Sequence, residues 1–190
     1  MSIIASAPPA APIEINSTDI HLFMAANVVS PEVCYLALPA STGLELTLLH
    51  VTATGTVKPN QAGDLTIGLF AHVTEPNVDP PQDNAGDWVM LGQSAAEPVG
   101  GTGELGETSW MVQGLNLMFN PASGKMQGTF QSNVADNPVF PDNLSTNPNG
   151  IRDDVSPLML FAVGAMFTPT ADDGSTPVLT LAHFTLNGEV

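Results

Sequence analysis

The chain has 190 residues, with 19 Asp and Glu against only 3 Lys and Arg, for a formal charge of −16. That balance excludes a nucleic-acid binder, which needs many cations to displace counterions from phosphates, and a polybasic membrane-surface protein. Hydrophobic residues at 43% are enough for a packed core, and 17 Gly and 17 Pro spread along the chain favour many turns over long helices.

Residues 1–12 are mostly Ala, Pro and Ser with two Ile, and Pro8, Pro9 and Pro12 favour an extended arm without a core of its own. Such an arm is either a loose terminus or a segment that docks on a neighbouring subunit. In the second case Ile3, Ile4, Pro8 and Pro9 are the contact residues. No basic residue or long apolar run marks a signal peptide here, and no stretch approaches the ~18 apolar residues of a membrane span. The expectation is a protein made in the cytoplasm, without membrane contact.

Residues 13–190 read as one domain of short apolar runs punctuated by Gly, Pro, Asn and Asp. Strands are predicted over 19–27, 32–38, 44–54, 65–74, 87–91, 107–119, 125–134, 157–168 and 178–186. Leu65, Ile67, Leu69, Ala71 and Val73 share one face of their strand. Over 125–134, Met126, Gly128, Phe130, Ser132 and Val134 alternate with Lys125, Gln127, Thr129, Gln131 and Asn133, as in a half-buried strand. The run LMLFAVGAMF at 158–167 is apolar on both faces. Its Gly164, its aromatics and the flanking Pro157 and Pro169 point to a buried central strand. Face changes near Leu48–Leu49 and near Gly114 predict β-bulges. The loop at 120–124, with Pro121 early and Gly124 last, predicts a hairpin between 107–119 and 125–134.

Nine strands without an amphipathic helix predict an all-β fold: an antiparallel β-sandwich, jelly-roll-like, of about eight or nine strands with an extended N-terminal arm. Two segments, 75–86 and 135–156, are too long for ordinary turns and are candidates for contacts. Their contact residues are Val78, Pro80 and Pro81 in the first, and Val139, Phe140, Pro141 and Arg152 in the second.

Few residues suggest chemistry. Gly101–Gly106 matches GxGxxG, but Glu97-Pro98 precedes it and a strand pattern follows, so no dinucleotide cofactor is expected. His21, His50, His72 and His183 lie in strand patterns without metal-ligand spacing, which reads as ordinary strand histidines. Asp136, Asp142, Asp153 and Asp154 gather in or beside one long loop. They are weak Ca²⁺ candidates on composition alone, because no EF-hand spacing is present and solvated acids are the plainer reading. No metal is therefore assigned. Cys34 sits inside the apolar VCYLAL and reads as an inert buried thiol. One cysteine also rules out an internal disulfide framework. Arg152, beside Asp153 and Asp154, pairs locally or with a neighbouring subunit. Trp88 and Trp110 lie in strand patterns and read as core. With no GxSxG elbow either, the chain is not expected to be an enzyme.

Several stretches resemble one family. VCYLALPASTGLELTLLHVTATGTV followed by LTIGLFAHV is similar to the opening strands of small β-sandwich virion proteins of tailed bacteriophages. SWMVQGLNLMFNPASGKMQGTFQSNV resembles their later hairpin, with a Trp-bearing strand, a glycine turn and a strand carrying QG. LMLFAVGAMFTP and LTLAHFTLNGEV resemble their last two strands. The resemblance covers about residues 33–190 and involves no catalytic signature. It implies a capsid decoration or minor capsid protein on the exterior of the virion, commonly a homotrimer, whose partners are itself and the major capsid protein or other virion proteins. The alternatives are a carbohydrate- or receptor-binding sandwich, which needs exposed aromatics, and a cupin-type enzyme, which needs clustered histidines around a metal.

Overall fold

The computed structural model describes residues 3–7, 10–14, 20–26, 32–39, 48–74, 88–100, 107–120, 125–133, 136–138, 158–170 and 176–189. Thirteen strands build these residues. In chain order they are β1 (Ile3–Ser6), β2 (Ile13–Glu14), β3 (His21–Leu22), β4 (Tyr35–Pro39), β5 (Leu49–Pro59), β6 (Gly63–Thr74) and β7 (Val89–Ser94). Then follow β8 (Glu97–Val99), β9 (Thr108–Asn120), β10 (Lys125–Ser132), β11 (Asp136–Pro138), β12 (Leu158–Pro169) and β13 (Val178–Glu189). No helix long and apolar enough to cross a membrane occurs among them.

The strands form two antiparallel sheets. The six-stranded sheet runs β1-β13-β5-β9-β10, with β2 also on β13. The seven-stranded sheet runs β11-β7-β6-β12-β3, with β4 beside β3 on β12 and β8 on β6. Two nested long-range pairs, β5 with β13 and β6 with β12, wrap the chain in a jelly-roll-like manner. The protein is an all-β antiparallel sandwich, and its eight strands of five residues or more lie within the expected number.

One core fills the space between the sheets. From the seven-stranded sheet it takes Leu65, Ile67, Leu69, Ala71 and Val73 of β6 with Phe161, Val163 and Phe167 of β12. From the six-stranded sheet it takes Val51, Ala53 and Val57 of β5 with Trp110 and Val112 of β9. A second cluster, Leu22, Val33, Phe70, Trp88, Leu160 and Ala162, lies on the other face of the seven-stranded sheet. That sheet is buried on both sides, which is why LMLFAVGAMF is apolar at every position. Gly164 serves this packing: a Cβ there would stand 2.7 Å from Ile20 Cγ2 and 2.9 Å from the carbonyl oxygen of His21.

Several expected boundaries move. Of the strand expected over 44–54, residues 44–47 lie outside the described residues, and the described strand runs Leu49–Pro59, because Gly55 faces inward beneath Trp110 and does not end it. The strand expected over 19–27 shrinks to the two residues of β3, extended by isolated bridges at Met24 and Ala25. Asn120, expected in the hairpin loop, belongs to β9 and pairs with Lys125, while residues 121–124 lie outside the described residues. Residues 3–6 of the expected arm are strand β1, paired with the chain's own β13.

Candidate interaction surface

The six-stranded sheet has one face in the core and one outward. On β5, Leu49, Val51, Ala53 and Val57 are buried, while Thr52, Thr54 and Thr56 point away. The outward residues bond across strands. The Thr54 and Thr185 hydroxyls are 2.8 Å apart, Gln113 Nε2 donates to Thr52 Oγ1 at 3.2 Å, and Ser6 Oγ donates to Asn187 Oδ1 at 2.8 Å. The charged residues on these six strands are Glu14, Glu189, Lys58 and Lys125, so this sheet is neutral within a chain of −16.

Its two edges differ. β1 is four residues long, and its register against β13 slips between Ile3 and Ala5, leaving Ile4 as the extra residue. The contact is extended by Ala7 N–H donating to Leu186 O at 2.9 Å. The opposite edge, β10, is eight residues long and among the described residues is paired on one side only, to β9. Met126 and Phe130 are 3% and 2% exposed and anchor it in the core, while Gln127, Thr129 and Gln131 are exposed. The irregularity between these strands belongs to β9. Two steps along β10, from Gln127 to Thr129, match three along β9, from Met118 to Leu115. The same extra residue appears against β5, and Asn116 takes it up at φ 51. The expected bulge near Gly114 is this one.

The other singled-out residues fall as follows. Ile3 and Ile4 are in β1. Asp136 is in β11, paired with Ser94. Pro8, Pro9, Val78, Pro80, Pro81, Val139, Phe140, Pro141, Asp142, Arg152, Asp153 and Asp154 lie outside the described residues, as does the GxGxxG stretch. His21 and His72 are on the seven-stranded sheet, and His50 and His183 are on the six-stranded sheet. His50 Nδ1 accepts from Asn116 N–H at 3.4 Å, capping the β9 bulge. Among the described residues no three His, Cys, Asp or Glu side chains come close enough to hold a metal ion.

Cys34 is fully buried, and that burial pushes its thiol from 9.0 up to about 12, the opposite of what a nucleophile needs. Trp88 and Trp110 are both buried, as expected of core residues, so neither offers a stacking platform to a sugar. The β10 edge was not singled out in the sequence. Its signal was the absence of any Asp, Glu, Lys, Arg or Pro from Met126 to Asn133. Which strand ends a sheet is set by long-range pairing, and alternation along one strand does not carry it.

No family model matches the chain, and no curated protein matches it. Among solved structures it is similar to Lectin I from Ulex europaeus, crystallised in complex with the methyl glycoside of α-L-fucose. That similarity spans 92% of this chain and 95% of the lectin, at 7% identity and a TM-score of 0.25. At that score the likeness carries no argument about ligand or role.

Proposed function

We propose that the chain is a non-enzymatic structural protein of a bacteriophage virion, a decoration or minor capsid protein on the outside of the head. In this reading it assembles as a homotrimer and contacts the major capsid protein. The observation that carries the reading is segment by segment. The stretches that resemble the phage family are VCYLALPASTGLELTLLHVTATGTV, LTIGLFAHV, the SWMVQG to QSNV hairpin, LMLFAVGAMFTP and LTLAHFTLNGEV. Their described residues fall on β4, β5, β6, β9–β10, β12 and β13 of one sandwich. The charge agrees with an outer position: a surface of −16 repels packaged DNA and suits contact with solvent. Binding is the whole mechanism, with apolar strand faces making the core and outward-facing residues of the sandwich meeting neighbours.

The test is antibody labelling of intact particles of the phage that carries this gene, viewed by electron microscopy. Label on the head exterior is the expected result. Particles without label, and without the chain by mass spectrometry, overturn the proposal.

A further inference from the structure

We infer that β1 is an exchangeable strand: in the assembled protein it leaves its own β13 and pairs with β13 of a second copy, arm to edge, around a ring of three. The inference deepens the assembly reading and rests on it for the number of copies. The receiving surface is already present in the single chain, because the same bonds form within one copy or between two.

The two halves of the N-terminal segment are held differently. Residues 10–14 are anchored in their own chain: Ala10 bridges Ala25, Ala11 N–H donates to Met24 O at 2.7 Å, and β2 pairs with Val178 and Leu179. β1 lies on the far side of Pro8 and Pro9. It meets β13 at Ile3 with Glu189, Ala5 with Gly188 and Ser6 with Asn187, with a slip between Ile3 and Ala5. Ala7 N–H to Leu186 O at 2.9 Å and Ser6 Oγ to Asn187 Oδ1 at 2.8 Å add to this contact. So short a ladder at a chain end opens readily.

The receiving edge keeps its shape when β1 leaves. Asn187, Gly188 and Glu189 pair on their other side with Thr52, Val51 and His50 of β5. Gly188 also packs on β4, where a Cβ would stand 2.6 Å from Leu36 Cδ2. An extended peptide adds to such an edge through its main chain.

The occupant follows from tether and charge. A diproline tether is stiff, so β1 gains little from reaching back to its own chain over a neighbour held close. No charged side chain precedes Glu14, so the arm crosses from one chain of −16 to another with little repulsion. Arm and edge are different surfaces, so the contact is heterologous, and a ring of three satisfies every arm and every edge.

The test is disulfide capture of a registered pair. Ala7 N–H bonds to Leu186 O, so Ser6 and Asn187 form the adjoining non-hydrogen-bonded pair, whose Cα spacing of about 4.5 Å suits a disulfide. The double variant Ser6→Cys with Asn187→Cys is treated with oxidised glutathione. Cys34 stays silent because it is buried and its thiol is held protonated. On a denaturing gel the product should be three covalently joined chains. A ladder that ends at two chains overturns the ring, and a single-chain band with both thiols consumed overturns the exchange. Free thiols at both positions overturn the pairing itself. Co-expressing Ser6→Cys chains with Asn187→Cys chains removes the within-chain route and serves where the double variant does not fold. The mixed covalent pair should form about tenfold faster than with Thr180→Cys chains, whose thiol is exposed on β13 away from β1. Equal rates overturn the exchange. Head labelling with closure only within chains leaves the virion reading standing and removes the exchange. Closure between chains without head labelling does the reverse.

Discussion

Gly55 on β5 lies directly beneath the indole of Trp110 on β9: a Cβ built at residue 55 would stand 2.6 Å from Trp110 Cζ2 and 2.6 Å from the carbonyl oxygen of His183. The indole then meets Phe23 edge-on, with ring centroids 5.8 Å apart at 66°, and Phe23 meets Phe184 at 5.3 Å and 76°. Phe23 is tied to β12 through its N–H bond to Val163 O at 2.8 Å, so this aromatic group links the two sheets. The absence of one methyl group at residue 55 is what lets the link form.

Gly55→Ala should therefore cost about 1–3 kcal/mol, because rigid backbone and a buried ring flank the new atom. For a domain of this size that lowers Tm by about 2–4 °C per kcal/mol. Thermal unfolding followed by circular dichroism checks it. A Tm within about 1 °C of wild type would show that Trp110 moves aside without cost.

The same residue marks what sequence alone conveys here. Alternation at Leu65 to Val73 and at Met126 to Phe130 identified strands and their core faces, because a one-residue slip would turn every apolar side chain to water. The doubly apolar run at 158–167 gave the central strand for the same reason. Gly55 and Pro59 read as strand ends because their local preference is to punctuate. Tertiary packing overrode it, through a ring contact 55 residues away in the chain. β1, β2, β8 and β11 were missed because they are two to four residues long and exist only through pairing with β13, β6 and β7. At the candidate surface the composition of β10 was legible and its edge position was not. The residues singled out in the long segments were chosen for segment length and composition, which do not fix geometry.

Cys34 gives a pH-dependent prediction with a definite sign. Burial raises its thiol from 9.0 to about 12 in the fold, so between those values the unfolded chain releases a proton that the folded chain keeps. Stability from this group is complete below pH 9.0 and is lost as pH rises towards about 12. The slope is at most about 1.4 kcal/mol per pH unit. Urea unfolding at several alkaline pH values, compared between wild type and Cys34→Ala, isolates it: the wild type should lose stability more steeply above pH 9.0. In the same window a disulfide reagent should label native Cys34 far more slowly than the unfolded chain. Parallel slopes for the two proteins would mean that the thiol does not stay protonated in the fold.

Removing residues 1–12 should leave the sandwich folded and weaken it. The deletion takes away the β1 ladder, in which Ile3, Ala5 and Ser6 face Glu189, Gly188 and Asn187. It also removes the bonds from Ala7 N–H to Leu186 O and from Ala11 N–H to Met24 O. At a net worth of about 0.5–1.5 kcal/mol per hydrogen bond, a loss of about 1–4 kcal/mol is expected. Denaturant midpoints measure this part, and molar mass by light scattering measures the other. If the segment also serves a neighbouring subunit, the truncated chain drops to a smaller assembly at unchanged secondary structure. Complete unfolding of the truncated chain would mean that β1 is integral to the core and does not act as an edge.

The charge distribution sets the salt response. Among the described residues the six-stranded sheet has no net formal charge, and the seven-stranded sheet carries Asp64, Glu97 and Asp136 without a Lys or Arg, within a chain of −16. Repulsion within so acidic a chain opposes compaction and opposes contact between copies alike. Raising sodium chloride from about 0.01 M to about 1 M shortens the screening length from roughly 30 Å to roughly 3 Å, which removes most of that repulsion. Tm and the fraction of self-associated protein should rise together over this range. Calcium and magnesium chloride at equal ionic strength then separate screening from coordination. Equal effects of the two leave Asp136, Asp142, Asp153 and Asp154 as solvated acids. A larger rise with calcium assigns them a cation, since only a larger, flexible oxygen cage prefers that ion to magnesium. A Tm that falls with added sodium chloride would mean that attractive ion pairs outweigh the repulsion, a surprising result for a chain with three fixed cations.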